Sequence, residues 1–310
     1  IASGVEVQHA GQIKQLHARK EVLLCAGAIQ SPQILMLSGI GDQAELNEHQ
    51  IEVKHHLPGV GKNFHDHPDF IFGYTVKDTV NTFGVSMSGS LGMIKQIKRY
   101  RSERRGMIAS NFAECGGFLK SDPALDIPNL QLHFVMALVD DHARKFHASH
   151  GLSCHVCLLN PRSRGSIQLS GNKITDPLKI DPNFLGDAGD VEDLVQGYKL
   201  TQQLMQSPSL SELYKQDLFT ADVHTDDDIR NILRARVDTV YHPVGSCKMG
   251  IDEMAVVDPE LRVYGIGQLR VIDASIMPTV VNGNTNAPVV MIAEKAVDLI
   301  RQSQIYQDVA

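Results

Sequence analysis

The sequence predicts a mixed α+β chain, on three observations. Residues 128–136, 152–159 and 166–170 alternate apolar and polar side chains, as strands of one antiparallel sheet do. Helix signals accompany them. Residues 190–206 space Leu194, Tyr198 and Leu204 for a helical face, and Thr225 with Asp228 three positions on has the form of a capping box. Short apolar runs, Val22 to Cys25 and residues 269–272, read as buried strands.

The elements follow in order. Ile1 to Val7 reads as a strand, with a turn around Gly11 leading to the buried strand at 22–25. A short helix follows, with Ser31 as N-cap, Pro32 at the first helical position and Gly39 at its end. Residues 51–70 are irregular and His-rich, broken by Pro58, Gly59, Gly61 and Pro68, and 71–76 reads as a strand. Residues 90–105 have a basic helical pattern, with Lys95, Lys98, Arg99, Arg101, Arg104 and Arg105 around Met93, Ile94, Ile97 and Tyr100. Such a helix suits either a solvated face or an anionic membrane surface. Arg162, Arg164 and Gly165 fall in the turn before 166–170. The last helix opens near Pro288 and runs to about Gln302.

Composition narrows the function. The chain has 310 residues, 43% of them hydrophobic and 21% charged, which excludes a disordered or fibrous class. A net charge of −7 argues against nucleic acid as a partner. No apolar run reaches the roughly 20 residues a membrane-spanning helix needs. Ile1 stands where a Met would start a chain, and an opening inside a hairpin predicts a piece of a larger protein. Of five cysteines, Cys154 and Cys157 form a CxxC, but they lie on opposite faces of a strand and no second ligand pair exists. Buried thiols in a reducing, cytoplasmic compartment are expected. His65 and His67 share a face of an extended segment, but no third metal ligand accompanies them. No metal is expected, and the pair reads as loop packing.

Two constellations have catalytic chemistry. Pro243 pushes His242 out of the helical region, so its ring is presented from an extended segment. Asn282, Asn284 and Asn286 crowd the loop before the last helix, more carboxamides than a helix cap uses. A neutral His can take the proton of an alcohol while an Asn amide hydrogen-bonds its oxygen. The hydride must then leave for an organic cofactor, because no side chain accepts one. A flavin suits, since a helix N-terminus favours the negative charge it gains on reduction. Gly245-Ser246-Cys247 lacks the nucleophile-elbow pattern of a hydrolase.

These segments resemble the glucose-methanol-choline (GMC) family of FAD-dependent oxidoreductases over essentially the whole chain. The run from Ala26-Gly27-Ala28 through Ser31-Pro32 to Gly39-Ile40-Gly41 resembles one family signature. The run from Leu57-Pro58-Gly59 to His65-Asp66-His67 resembles the stretch after it. The resemblance implies that His242 is the active-site base and Asn284 its partner. It implies that Ala26, Gly27, Asp273 and Ala274 lie along the FAD, Asp273 and Ala274 at its ribityl–pyrophosphate part. Asn286 and Pro288 would then stand next to the isoalloxazine ring.

The GxGxxG turn that opens this family is absent from the sequence, so the chain reads as the C-terminal part of a longer enzyme. Its implied architecture is an incomplete α/β flavin lobe, residues 1–75 and 240–310, around a substrate lobe, 76–239, of antiparallel sheet and helices. The implied activity is oxidation of a primary alcohol to an aldehyde, with hydride passing to flavin N5 and electrons to a quinone-like acceptor. Choline is the second substrate considered, and a catalytically inactive remnant or a lyase of the same family are the other readings. Peripheral contact with the inner membrane is the expectation attached to the basic helix.

Overall fold

The computed structural model describes residues 1–77, 82–84, 87–141, 144–145 and 147–309, with the backbone alone at 87–91 and 304–309. Helix and sheet are mixed along the chain. Two compact units form. The first comprises Ile1–His67, Asn160–Gly186 and Tyr241–Ala310, and the second Pro68–Leu159 and Asp187–Val240. The middle stretch expected at 76–239 is therefore not continuous, because 160–186 returns to the first unit. Backbone bonds from Gly165 N–H to Phe64 O (2.7 Å) and Ile167 N–H to Gly61 O (2.7 Å) hold it there.

In the first unit, Gly4–His9 pairs antiparallel with Gln12–His17 across a tight turn, Ala10 (φ 50°) and Gly11 (φ 77°). Both turn residues take the left-handed backbone that a two-residue hairpin needs. The expected partner, 22–25, lies elsewhere: Val22–Leu24 pairs in parallel with Leu269–Val271. The second hairpin strand escaped the sequence pattern because all six of its residues are exposed. Ser166–Gln168 likewise corrects expectation. It pairs with Lys179–Asp181 in a separate two-stranded sheet, not with the strands at 130–135 and 151–158. The core gathers Leu35, Met36, Leu46, Val60, Val244, Cys247, Val256 and Val271, each nearly inaccessible.

The first helix spans Gly27–Leu37, so it begins well before Ser31 and contains Pro32. Proline in a helix leaves the carbonyl four residues back without its N–H partner. Here that carbonyl belongs to Ala28, and the buried Ser246 hydroxyl donates to it. Asp273 compensates at the helix start: its Oδ2 accepts from Gly27 N–H (2.9 Å) and from Ser31 Oγ (2.6 Å). A carboxylate 246 positions away in sequence caps this helix, which local reading had given to Ser31.

In the second unit, five strands lie in the order Tyr214–Asp217, Pro68–Val76, Gly151–Leu158, Leu130–Val135, Ala113–Leu119, with Asp238–Thr239 also paired to Pro68–Val76. Ala113–Leu119 and Tyr214–Asp217 lacked a sequence signal, one being Gly-interrupted and mostly exposed, the other short and polar. Helix Ala188–Met205 packs Leu194, Val195, Tyr198 and Met205, all fully buried. The Tyr198 ring lies 5.4 Å from Phe70 and 4.7 Å from Phe72. The capping box at Thr225 and Asp228 opens helix Asp226–Arg236. Cys154 and Cys157 are buried and free, and burial pushes the Cys154 thiol well above its usual range. Helix Met87–Glu103 also belongs to this unit, and no described helix is long and apolar enough to cross a membrane.

Candidate active site

The site lies within the first unit and is assembled around residues 242–249. This segment bonds on two sides. Val244 and His65 exchange backbone hydrogen bonds (3.2 and 2.9 Å), and Gly61 N–H donates to Ser246 O (2.8 Å). On the other side, Cys247 N–H reaches Ser275 O (2.9 Å) and Met249 N–H reaches Ile276 O (2.8 Å). Gly245 has φ +89°, and a Cβ there would come within 2.5 Å of Asn63 O, so the close approach of 61–65 requires glycine.

Asp66 then aligns the two chains that contribute imidazoles. It is 3% exposed, and its Oδ1 accepts from the backbone N–H of His67 (2.7 Å) and of His242 (3.0 Å). Its Oδ1 thus takes two peptide donors. His67 is fully buried and perpendicular to His242, with ring centroids 5.2 Å apart and Nδ1 to Nδ1 at 3.1 Å. Its other nitrogen, Nε2, lies 3.1 Å from Val281 O. Across the half-buried His242 ring, Nε2 lies 3.4 Å from Asn284 Nδ2. The imidazole and carboxamide expected to cooperate are therefore side by side.

His65 has a different place. Nδ1 lies 2.6 Å from Asn63 O and Nε2 accepts the Val280 N–H at 3.0 Å. Both nitrogens bond backbone, so the proton sits on Nδ1. Burial, then the Arg164 charge, push its pKa down to about 4, against the carbonyl of Asn63. Arg164 itself donates to Asn63 Oδ1 (3.0 Å) and to the Pro161 and Ser163 carbonyls (2.7 and 2.9 Å), so it organises the turn. His65 and His67, read from sequence as loop packing, are both buried and committed. Their alternation was visible, but the partners 175 to 215 positions away were not.

The residues expected along the cofactor fall into two groups. Ala26, Gly27, Asp273 and Ala274 meet at the start of helix Gly27–Leu37. Their polar groups are largely turned inward: Ala26 N–H bonds Ser31 Oγ (3.1 Å), Gly27 N–H bonds Asp273, and Asp273 Oδ1 accepts from Ser275 N–H (2.8 Å). What they offer outward is room, because nothing lies within 4 Å of where a Gly27 Cβ would stand (φ +80°). Asn286 and Pro288 open the last helix, Asn286–Val309. Asn286 and Ala287 are exposed and no acidic residue occupies the first turn, so the positive end of this helix faces outward. These features fit a cofactor with a negatively charged ring edge and a long polar tail. Leu23, in the parallel strand pair 22–24/269–271, is 46% exposed. Among the described residues no cluster of His, Cys, Asp or Glu is placed to hold a metal.

The paired imidazole and carboxamide and the open helix ends stand in the one unit. The chain belongs to the GMC oxidoreductase family, whose pattern matches residues 1–69 and 161–293; FAD is its cofactor. An alcohol dehydrogenase [acceptor] of Pseudomonas putida is 45% identical over 90% of this chain and 51% of its own length. An oxygen-dependent choline dehydrogenase of Pseudomonas savastanoi pv. phaseolicola is 41% identical over 94% of this chain and 51% of its own. Among solved structures, formate oxidase superposes with a TM-score of 0.87 at 27% identity, covering 97% of this chain and 57% of that one. Pyridoxine 4-oxidase from Mesorbium loti gives 0.81 at 26%, covering 96% and 54%. The chain spans about half the length of the curated relatives it matches.

Proposed function

We propose that the full-length protein oxidises a primary alcohol to the aldehyde and passes the electrons to a quinone-like acceptor. The observation that carries this reading is the 3.4 Å approach of Asn284 Nδ2 to His242 Nε2. A hydroxyl oxygen seated against both can give its proton to the imidazole and take a hydrogen bond from the amide. FAD, when bound, supplies the acceptor for the hydride that leaves the same carbon. Asn284 holds the oxygen as negative charge develops on it. Ala26, Gly27, Asp273 and Ala274 would line the cofactor's polar tail, and Asn286 and Pro288 its ring. The alcohol dehydrogenase relative, at 45% identity, supports an alkanol ahead of choline, and the choline dehydrogenases at 41% support choline as the second substrate. Reduction of the bound flavin by a series of straight-chain alcohols and by choline, in the full-length protein, separates them. Alkanols should reduce it fastest, with broad tolerance of length, because each methylene discriminates by only about 1–3 kcal/mol. Reduction by choline alone would reverse the order.

We also propose peripheral contact with an anionic membrane through helix Met87–Glu103. Ile94 (54%) and Ile97 (43%) are exposed, at the spacing that puts them on one face with Lys98 and Arg101. Co-sedimentation of the full-length protein with phosphatidylglycerol vesicles should fall on Lys98→Glu/Arg101→Glu substitution and on adding salt. Equal binding to phosphatidylcholine vesicles argues against it.

A further inference from the structure

The His67 ring is a fully buried titratable group beside the site that the proposed reaction leaves unused. We infer that His67 is a positioning residue: it holds His242 in the tautomer that has its proton on Nδ1 and its lone pair on Nε2. The inference rests on the reading of His242 as the base, and assigns a cause to that base's orientation.

Proton bookkeeping carries it. A carbonyl oxygen only accepts, so the contact with Val281 O makes His67 Nε2 the N–H bearing nitrogen. In the neutral ring Nδ1 then has a lone pair. The 3.1 Å contact between the two Nδ1 atoms needs one donor and one acceptor, so His242 Nδ1 donates. His242 Nε2 is left as the basic nitrogen, and it faces the Asn284 amide.

The opposite arrangement fails at the Asn284 end. A doubly protonated His67 would donate from Nδ1, and the His242 proton would move to Nε2. That N–H would meet Asn284 Nδ2, donor against donor, at 3.4 Å. Asp66 adds order to the device, because its Oδ1 accepts from the backbone N–H groups of both histidines. The chain of order therefore runs from a main-chain carbonyl through His67 to His242. A neutral imidazole does here what a carboxylate does in a Ser-His-Asp triad, setting tautomer and plane without adding charge.

The test uses the full-length, FAD-loaded protein labelled with nitrogen-15 at histidine. Long-range nitrogen–proton correlation spectra report which nitrogen of His242 is protonated, with its signals identified by their loss in His242→Asn. The expected result is a neutral ring protonated on Nδ1. His67→Leu should mix the two tautomers and lower kcat roughly 10–100-fold with KM little changed, less than loss of the base itself. His67→Gln should recover most of the rate, because its amide can donate to Val281 O and accept from His242. Wild-type His242 protonated on Nε2, or an unchanged tautomer in His67→Leu, overturns the inference while leaving the base reading intact. Should His67→Leu not fold, the wild-type spectrum and His67→Gln still decide. An unaltered rate in His242→Ala would instead remove the base reading, whatever the tautomer.

Discussion

Two histidine clusters, one in each unit, lie two residues apart in sequence and are built in opposite ways. In the first, His67 and His242 touch ring to ring, and Asp66 bonds their backbones. In the second, Asp69 Oδ2 bonds His155 Nδ1 directly at 2.6 Å, and His133 stands across the strand from His155. Burial alone would lower the pKa of His155, but the charge of Asp69 and its hydrogen bond outweigh that and raise it. Burial lowers His133 in spite of Asp69. A carboxylate on the ring favours the imidazolium, which has no lone pair. A carboxylate on the backbone orders the ring and leaves it able to accept a proton. Proximity of Asp and His is therefore not the mark of a base in this chain.

The largest effect expected tests the first cluster. His242→Ala in the full-length protein should slow flavin reduction by roughly 10²–10⁴-fold in single-turnover stopped flow. Asn284→Ala should cost about 10²-fold, the loss of one donor to a developing oxyanion, read in the same assay. His65 gives the next effect, on stability. Its folded pKa of about 4 lies below the 6.5 of the free side chain, so the unfolded chain binds the extra proton first. Stability is fully present above pH 6.5 and falls between 6.5 and 4, by roughly 3 kcal/mol in the limit. Urea unfolding across that range should show the slope, and His65→Gln should flatten its share. The second cluster has the opposite sign and the smallest effect. The raised pKa of His155 makes the ion pair's contribution complete below pH 6.5 and lost as pH rises through the raised value. Asp69→Asn should cost about 2 kcal/mol at pH 6 and less at pH 9. An equal cost at both would mean His155 is neutral throughout, and the contrast between the clusters would fail.

Much of the site was legible because its residues announce their chemistry locally. Pro243 after His242 presents the ring from extended backbone, and three Asn before a helix exceed what a cap requires. The relay was not legible. His67, Asp66 and the Val281 carbonyl matter only through contacts across more than 170 positions. The same holds for Asp273, whose capping of Gly27–Leu37 displaced the local signal at Ser31. Strands failed where they lack a buried face: Gln12–His17 is wholly exposed, and Ser166–Gln168 alternates like its neighbours but pairs elsewhere.

Residue identity alone established the α+β character and the kinship with a flavin-dependent family, and it singled out His242 and Asn284 as candidates, because periodicity and side-chain chemistry are local properties. Folding decided which ring is buried between a carbonyl and another ring and which faces Asn284. Tautomer and protonation follow from what each ring nitrogen touches, and those partners are brought within 3.1 Å only when 67, 242 and 281 converge.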